Sequence, residues 1–251
     1  MNSEQLETTE VIAFLPCRTG SQRVPKKNTR PFSKAGKSLF DIKIAQLVAC
    51  PRINQIVVST NDPNIKSKVM ALQPHWKGRI ILDHRPDHLC LASTSTDALI
   101  GYLPTIIQNG HVLWTHVTSP FVNADDYSTI IDAYFTGIAS GEYTSLMSVT
   151  KLQTFLWGKT GPINYDRKQE KWPRTQTLTP VFEVNSAAFM ASARDIKNTN
   201  DRITDRVQLF EIEKAKCIDI DHMDEFILAA KIYETVNIIQ TSEKNSRDQH
   251  Q

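Results

Sequence analysis

Short apolar runs alternate with amphipathic stretches along most of this chain, and no other feature limits its fold as tightly. Val11–Leu15 (VIAFL) has the apolar density of a strand buried on both faces. Residues 38–49 follow with apolar side chains at helical spacing and Ser38 placed to cap them. Gln55–Thr60 (QIVVST) predicts a second strand, and residues 62–72 a helix with Pro63 at its first position. A third strand is expected at 79–83, a helix bent at Pro104 over 96–107, a strand at 111–117, a helix at 124–135 and a strand at 145–150. This order predicts an α/β fold, a mostly parallel sheet covered by helices on both faces. The pattern breaks over residues 151–180, where aromatics, Gly, Pro and charges crowd together, as in an insertion of hairpins or loops. Alternation resumes with strands at 181–190 and 218–221 and a helix at 224–234. The polar ends, 1–10 and 241–251, are expected to be tails on a single domain at 11–240, the second of them disordered.

Composition narrows the function. The 251 residues carry a net charge of only +2, which argues against general nucleic-acid binding. No apolar run approaches the roughly 18 residues of a membrane span. The acidic, polar first ten residues do not resemble a signal peptide, so the expectation is a cytoplasmic protein. Cys17, Cys50, Cys90 and Cys217 lie far apart and suggest isolated thiols rather than a disulfide framework or a zinc site. His84 and His88 have helical spacing, but Pro86 between them argues against a helix and against metal binding there.

In open parallel sheets, ligands collect at the carboxyl ends of the strands. The loop leaving the first strand at that end, Pro16–Asn28, carries Arg18, Arg23, Lys26 and Lys27 together with Gly20 and Ser21. Gly20 allows the backbone to approach a ligand, and the cations suit a polyphosphate. A solvated basic loop has the same composition, so the loop alone leaves both readings open. It is not a Walker loop. Gly36-Lys37-Ser38 has the right ending, but Pro31 stands where the earlier glycine is required. The second feature is Ile218-Asp219-Ile220-Asp221. On a strand, Asp219 and Asp221 point the same way, and a cation would relieve their repulsion. Hard carboxylate oxygens suit Mg²⁺ shared with substrate phosphates. The alternative is a strand end whose acids cap the next helix.

Together these stretches resemble the cytidylyltransferases that activate acidic nine-carbon sugars, the CMP-N-acetylneuraminate synthetase family. The opening motif of that family runs apolar-P-A-R-x-x-S-K/R-x-x-P-x-K-N. Arg18, Ser21, Pro25, Lys27 and Asn28 match it, with Cys17 in place of Ala. IVVSTND over 56–62, RPDHLCLASTST over 85–96, the turn Val117-Thr118-Ser119-Pro120, Pro173–Gln176 with Asn185, and the 218–221 segment are similar to further family motifs, in family order. The resemblance implies a Rossmann-like nucleotidyltransferase fold in which residues 151–180 form an inserted dimerisation segment, with Phe155, Trp157 and Trp172 as interface anchors or as intrachain packing. It implies CTP and an acidic sugar as substrates, Mg²⁺ as cofactor and a homodimer. Arg18 and Lys27 would meet the CTP phosphates, within a loop also lined by Pro16, Gly20 and Ser21. Asn28, Arg85 and Thr96 would line the nucleotide pocket. Asp219 and Asp221 would hold Mg²⁺. Arg174, Gln176 and Asn185 would face the sugar; His116 would hydrogen-bond the sugar or be an exposed strand-end histidine with no role. Arg23 and Lys26 fall on variable positions.

Several positions depart from the pattern. His116 stands where the family often has Gln, Val122 where it has Arg, and Ser186 where it has Gly. Glu183-Val184 replaces Arg-Pro, and Ala92 replaces Asp. The nucleotide half is better kept than the sugar half. A different acidic sugar, such as the eight-carbon acid of the CMP-Kdo synthetases, or a non-catalytic scaffold keeping the fold, are the alternatives these departures leave.

Overall fold

The computed structural model of the protein describes residues 9–248. Strand β1 (Val11–Cys17) is the centre of the architecture. It pairs in parallel with β2 (Gln55–Thr60) on one side and with β4 (His111–Trp114) on the other; β3 (Ile80–His84) extends the sheet beyond β2. Chain order therefore reverses direction at β1, which creates a crevice at the carboxyl ends of β1 and β4. The sheet has seven strands in the order β3-β2-β1-β4-β8-β5-β9. Here β5 is Ser145–Leu152, β8 Val181–Ser192 and β9 Val207–Glu211. β8 runs antiparallel to both neighbours, while β5 and β9 are parallel. The expectation of a mostly parallel α/β sheet holds.

Side-chain alternation along β1 sorts the core into two layers. Val11, Ala13 and Leu15 pack with helices α1 (Leu39–Ala49), α4 (Ala124–Ala139) and α6 (Met223–Asp248). Ile12 and Phe14 point the other way, toward α3 (Thr96–Tyr102) and α5 (Ala193–Thr199). The ring of Phe14 meets Trp114 of β4 edge-on at 4.7 Å between centroids. Local chemistry explains where the helices begin. Ser38 and Asp41 form a capping box on α1. Asp62 caps α2 (Pro63–Leu72), whose first residue Pro63 has no N–H to satisfy. At Pro104 the helix α3 gives way to a single 3₁₀ turn, which is the expected bend.

Three expectations fail. Residues 218–221 are not a strand, because β9 already occupies that edge of the sheet and the chain leaves it through a 3₁₀ turn at Lys214–Lys216. Helix α6 does not stop near Glu234 but continues to Asp248, through much of the stretch expected as a disordered tail; residues 223–248 contain no Gly or Pro to end it. α5 and β9 have no counterpart among the predicted elements. The start of the polar N-terminal stretch, residues 1–8, and the last residues, 249–251, lie outside the described residues.

The segment 151–180 holds a minimal hairpin, β6 (Trp157–Gly158) with β7 (Gly161–Pro162). Phe155, Trp157, Tyr165 and Trp172 pack on one another. The guanidinium of Arg167 lies over both tryptophan rings. Trp157 and Trp172 still present half or more of their surface to solvent.

Candidate active site

The loop after β1 is held by one apolar anchor and several polar ones. Val24, the apolar residue amid the cations, is fully buried. Gly20 has φ +76°, a turn that favours glycine. Asn61 Oδ1 accepts from the Thr19 N–H at 3.0 Å, and Asn28 Nδ2 donates to the Arg18 carbonyl at 3.1 Å. Asn28 thus braces the loop from inside, and its own carbonyl accepts from Phe40 at the start of α1.

This loop forms one wall of a cleft of about 670 Å³ at the carboxyl ends of β1 and β4. The other walls are His116–Thr118, Ser186, Thr96 with Ala92, and Asp219 with Asp221. Pro16, Arg18, Ser21, Lys27 and Asn28 all line it. Gly20, expected to line it, does not; its carbonyl accepts from Arg18 Nη1 at 3.4 Å. Lys27 Nζ donates to the Ile220 carbonyl at 2.7 Å and lies 3.2 Å from Asp221 Oδ1. Arg23, which the motif left without a role, lies 3.0 Å from the other oxygen of Asp221. Lys26 stays exposed and lines no part of the cleft.

Asp219 and Asp221 converge on the cleft without a strand to align them. Ile220 between them is fully buried, and that anchor turns its two neighbours outward. Burial of the carboxyl group raises the pKa of Asp219, and the charge of Asp221 adds to it; a hydrogen bond from Thr118 and the charge of Lys27 act the other way. Among the described residues no group of three or more His, Cys, Asp or Glu gathers to hold a metal. Two hard carboxylates sharing one cleft with Arg18, Arg23 and Lys27 fit Mg²⁺, a metal that keeps several ligands for water and substrate.

His116 is fixed as a neutral ring. Trp114 Nε1–H donates to its Nε2 at 3.1 Å, which leaves the proton on Nδ1. Burial, with the charges of Arg202 and Lys27, depresses its pKa to about 3. His116, Thr96, Pro16 and Arg18 also border a smaller lobe of about 180 Å³ lined by Arg85, Leu89, Leu99 and Trp114. Arg85 is buried there and donates to Ser59 Oγ at 3.0 Å and to the Ser59 carbonyl at 2.7 Å. Asp83 accepts in turn from Ser59 at 2.6 Å and from Tyr102 at 2.9 Å.

Three expected sugar-facing residues are placed elsewhere. The Asn185 amide is buried beneath the cleft, accepting from Ser148 Oγ at 2.6 Å and donating to Thr150 Oγ1 at 3.2 Å and Cys217 Sγ at 3.3 Å. It holds the irregularity at which β8 shifts register against β5, and so turns Ser186 (φ +56°) to the cleft instead. Arg174 and Gln176 are exposed on the insertion and line no part of the cleft, because that segment folds on itself. Val122 is fully buried in the core, so the arginine the family has there has no counterpart in this cleft. Sequence reasoning gave no cleft role to Gln22, Thr118 or Ser186 and placed Arg23, one of the loop's four cations, on a variable position. All four lie inside or beside matched motifs, so motif context was the available signal.

A cation-lined crevice at the switch point of this sheet defines an α/β protein with the nucleotidyltransferase fold. The same fold is found in 4-diphosphocytidyl-2C-methyl-D-erythritol synthase from Anaerococcus prevotii, with a TM-score of 0.62 at 12 % identity over 90 % of this chain and 96 % of that one. It is also found in a CMP:2-keto-3-deoxy-manno-octonic acid synthetase solved with CTP, with a TM-score of 0.59 at 14 % identity over 93 % and 99 %. The chain belongs to the cytidylyltransferase family, whose model matches residues 12–225. It is 24 % identical over 224 residues to the N-acylneuraminate cytidylyltransferase of Streptococcus agalactiae serotype III, which covers 86 % of this chain and 51 % of the relative. It is 22 % identical over 233 residues to the pseudaminic acid cytidylyltransferase of Campylobacter jejuni serotype O:2, covering 88 % and 95 %. The chain spans about half the length of the N-acylneuraminate relatives it matches. None of the helices among the described residues is long and apolar enough to cross a membrane.

Proposed function

We propose that this chain transfers CMP from CTP to the anomeric hydroxyl of a 2-keto-3-deoxy sugar acid and releases pyrophosphate. The observation that carries the reading is the meeting of the Arg18–Asn28 loop and the Asp219/Asp221 pair in one cleft, although some 190 residues separate them in sequence. The hydroxyl oxygen bonds to the α-phosphorus, the bond from that phosphorus to the bridging oxygen breaks, pyrophosphate leaves, and the hydroxyl proton passes to solvent. Such a step needs positioning and charge neutralisation more than a protein nucleophile. Arg18 and Lys27 meet phosphate oxygens in this reading, and Arg23 is a third cation within reach. The His116 Nδ1–H is a neutral donor between the two lobes. Arg85, locked on Ser59, shapes the smaller lobe that takes the base. Mg²⁺ held by Asp219 and Asp221 would supply Lewis-acid stabilisation of the phosphate charge.

Pyrophosphate release is to be measured with CTP and Mg²⁺ against N-acetylneuraminate, pseudaminate and 2-keto-3-deoxy-manno-octonate, beside a thermal-shift titration with CTP alone. Release with one of these acids and a CTP-dependent rise in melting temperature are expected. A CTP shift without release would favour a non-catalytic scaffold or another acceptor. No shift and no release would overturn the proposal.

A further inference from the structure

Lys43 is an unusual core residue. It lies mid-helix on α1, has no exposed surface, and touches no part of the cleft. A buried ammonium persists only where every proton finds an acceptor. Lys43 Nζ donates to the carbonyl of Ser119 at 2.8 Å, to that of Val122 at 3.1 Å and to the Tyr127 hydroxyl at 2.7 Å. The direction of the last bond follows from its neighbours. Thr115 Oγ1 spends its proton on the Ala187 carbonyl at 2.7 Å, so in its 2.7 Å contact with Tyr127 it can only accept. Tyr127 therefore donates to Thr115 and accepts from Lys43, and the chain runs one way from the ammonium to Ala187. Burial lowers the pKa of Lys43 well below the usual lysine value and the charge of Asp126 opposes this; the three donations from one nitrogen use the three protons of an ammonium.

Both ends of this chain lie directly behind cleft walls. Ser119 and Val122 follow His116–Thr118, and Ala187 follows Ser186. One turn further along α1, Gln46 Nε2 donates to the Pro120 carbonyl at 2.6 Å, so the helix grips the turn at three carbonyls. The N-terminal end of α1 is joined to Asn28 of the loop. We propose that Lys43 is a positioning residue that fixes, from behind, the spacing of the two cleft walls at His116–Thr118 and at Ser186 that receive the acceptor sugar. The inference rests on the CMP-transfer reading for its substrate, but the coupling of the two walls is a property of the unliganded protein.

The test uses Lys43→Met, which keeps length and removes the donor, and Tyr127→Phe, which keeps Lys43 on the turn and cuts the path to Ala187. Hydrogen exchange followed by mass spectrometry needs no substrate. Lys43→Met should speed exchange in peptides covering both 117–122 and 186–189, and Tyr127→Phe in 186–189 alone. In the pyrophosphate assay, with whichever of the three acids above supports release, Lys43→Met should raise KM for the acid about tenfold or more, with CTP affinity by calorimetry changed less than about twofold. A merely structural lysine would lower the melting temperature and weaken CTP and acid alike. That result, or unchanged exchange at 186–189 in both variants, would overturn the proposal. If no acid is turned over, the exchange measurements still decide the coupling. If Lys43→Met does not fold, Tyr127→Phe decides it.

Discussion

Replacing Lys27 by Met separates chemistry from stability. The side chain is 15 % exposed and joins the Ile220 carbonyl and Asp221 to the loop. A hydrogen bond involving a charged group contributes about 1.5–3 kcal/mol, and the open, watery cleft places this one near the lower end. A loss of about 1.5 kcal/mol lowers the melting temperature by about 3–6 °C in a chain of this size. Domains of this kind have about 5–15 kcal/mol of stability, so the variant remains folded at assay temperature. The effect on turnover is larger, because a preorganised donor facing charge that develops in the transition state is worth about 10²–10³ in rate. Differential scanning fluorimetry reads the first effect and continuous pyrophosphate release the second. Turnover near that of the unmodified protein, with the melting temperature lowered as expected, would refute the assignment of Lys27 to phosphate charge and leave it a structural tie to residue 220.

Asp219 should trade stability for function. Its raised pKa means the folded state disfavours the carboxylate, so the relative stability present below the ordinary aspartate range is lost as pH rises through the raised value. Asp219→Asn should therefore melt higher than the unmodified protein at pH 7, with the gap closing in acid, and should lose the extra stabilisation that Mg²⁺ adds in the presence of CTP; an Asn variant that melts lower at pH 7 would contradict this. His116 has the opposite sign. Its pKa, depressed to about 3, costs stability as pH falls below the usual histidine value of about 6.5. His116→Gln should flatten the loss of melting temperature between pH 7 and pH 4, and an unchanged slope would show that the ring is not held neutral.

The parts of the fold legible in the sequence are those whose cause is local. The apolar runs of β1 and β2, the Ser38 box and the Asp62–Pro63 start of α2 carry their structure in a few adjacent residues. β9 does not, since its five residues alternate poorly and gain a place only beside β5. The antiparallel direction of β8 is likewise a matter of distant partners. The same division runs through the site. Arg18, Lys27 and the Asp pair follow from motif and charge, and the cleft gathers them. Arg23 was left as a variable position, yet it reaches Asp221, because only the folded loop brings it there. Asn185 matched a motif, but its amide is used up by Ser148, Thr150 and Cys217, partners that two other segments supply.

The place of β8 bears on how the chain is made. β5 and β9 reach the rest of the sheet only through it, as its last four residues pair with β4 and nearly its whole length with β5. During synthesis, β1 to β4 can assemble as each emerges, since each of β2, β3 and β4 pairs with a strand already made. β5 leaves the ribosome with no sheet to join until residue 192 follows it, so for some forty residues of elongation the outer edge of β4 and both edges of β5 stand open. A nascent chain stalled in that interval would expose the edges most prone to pair with another molecule.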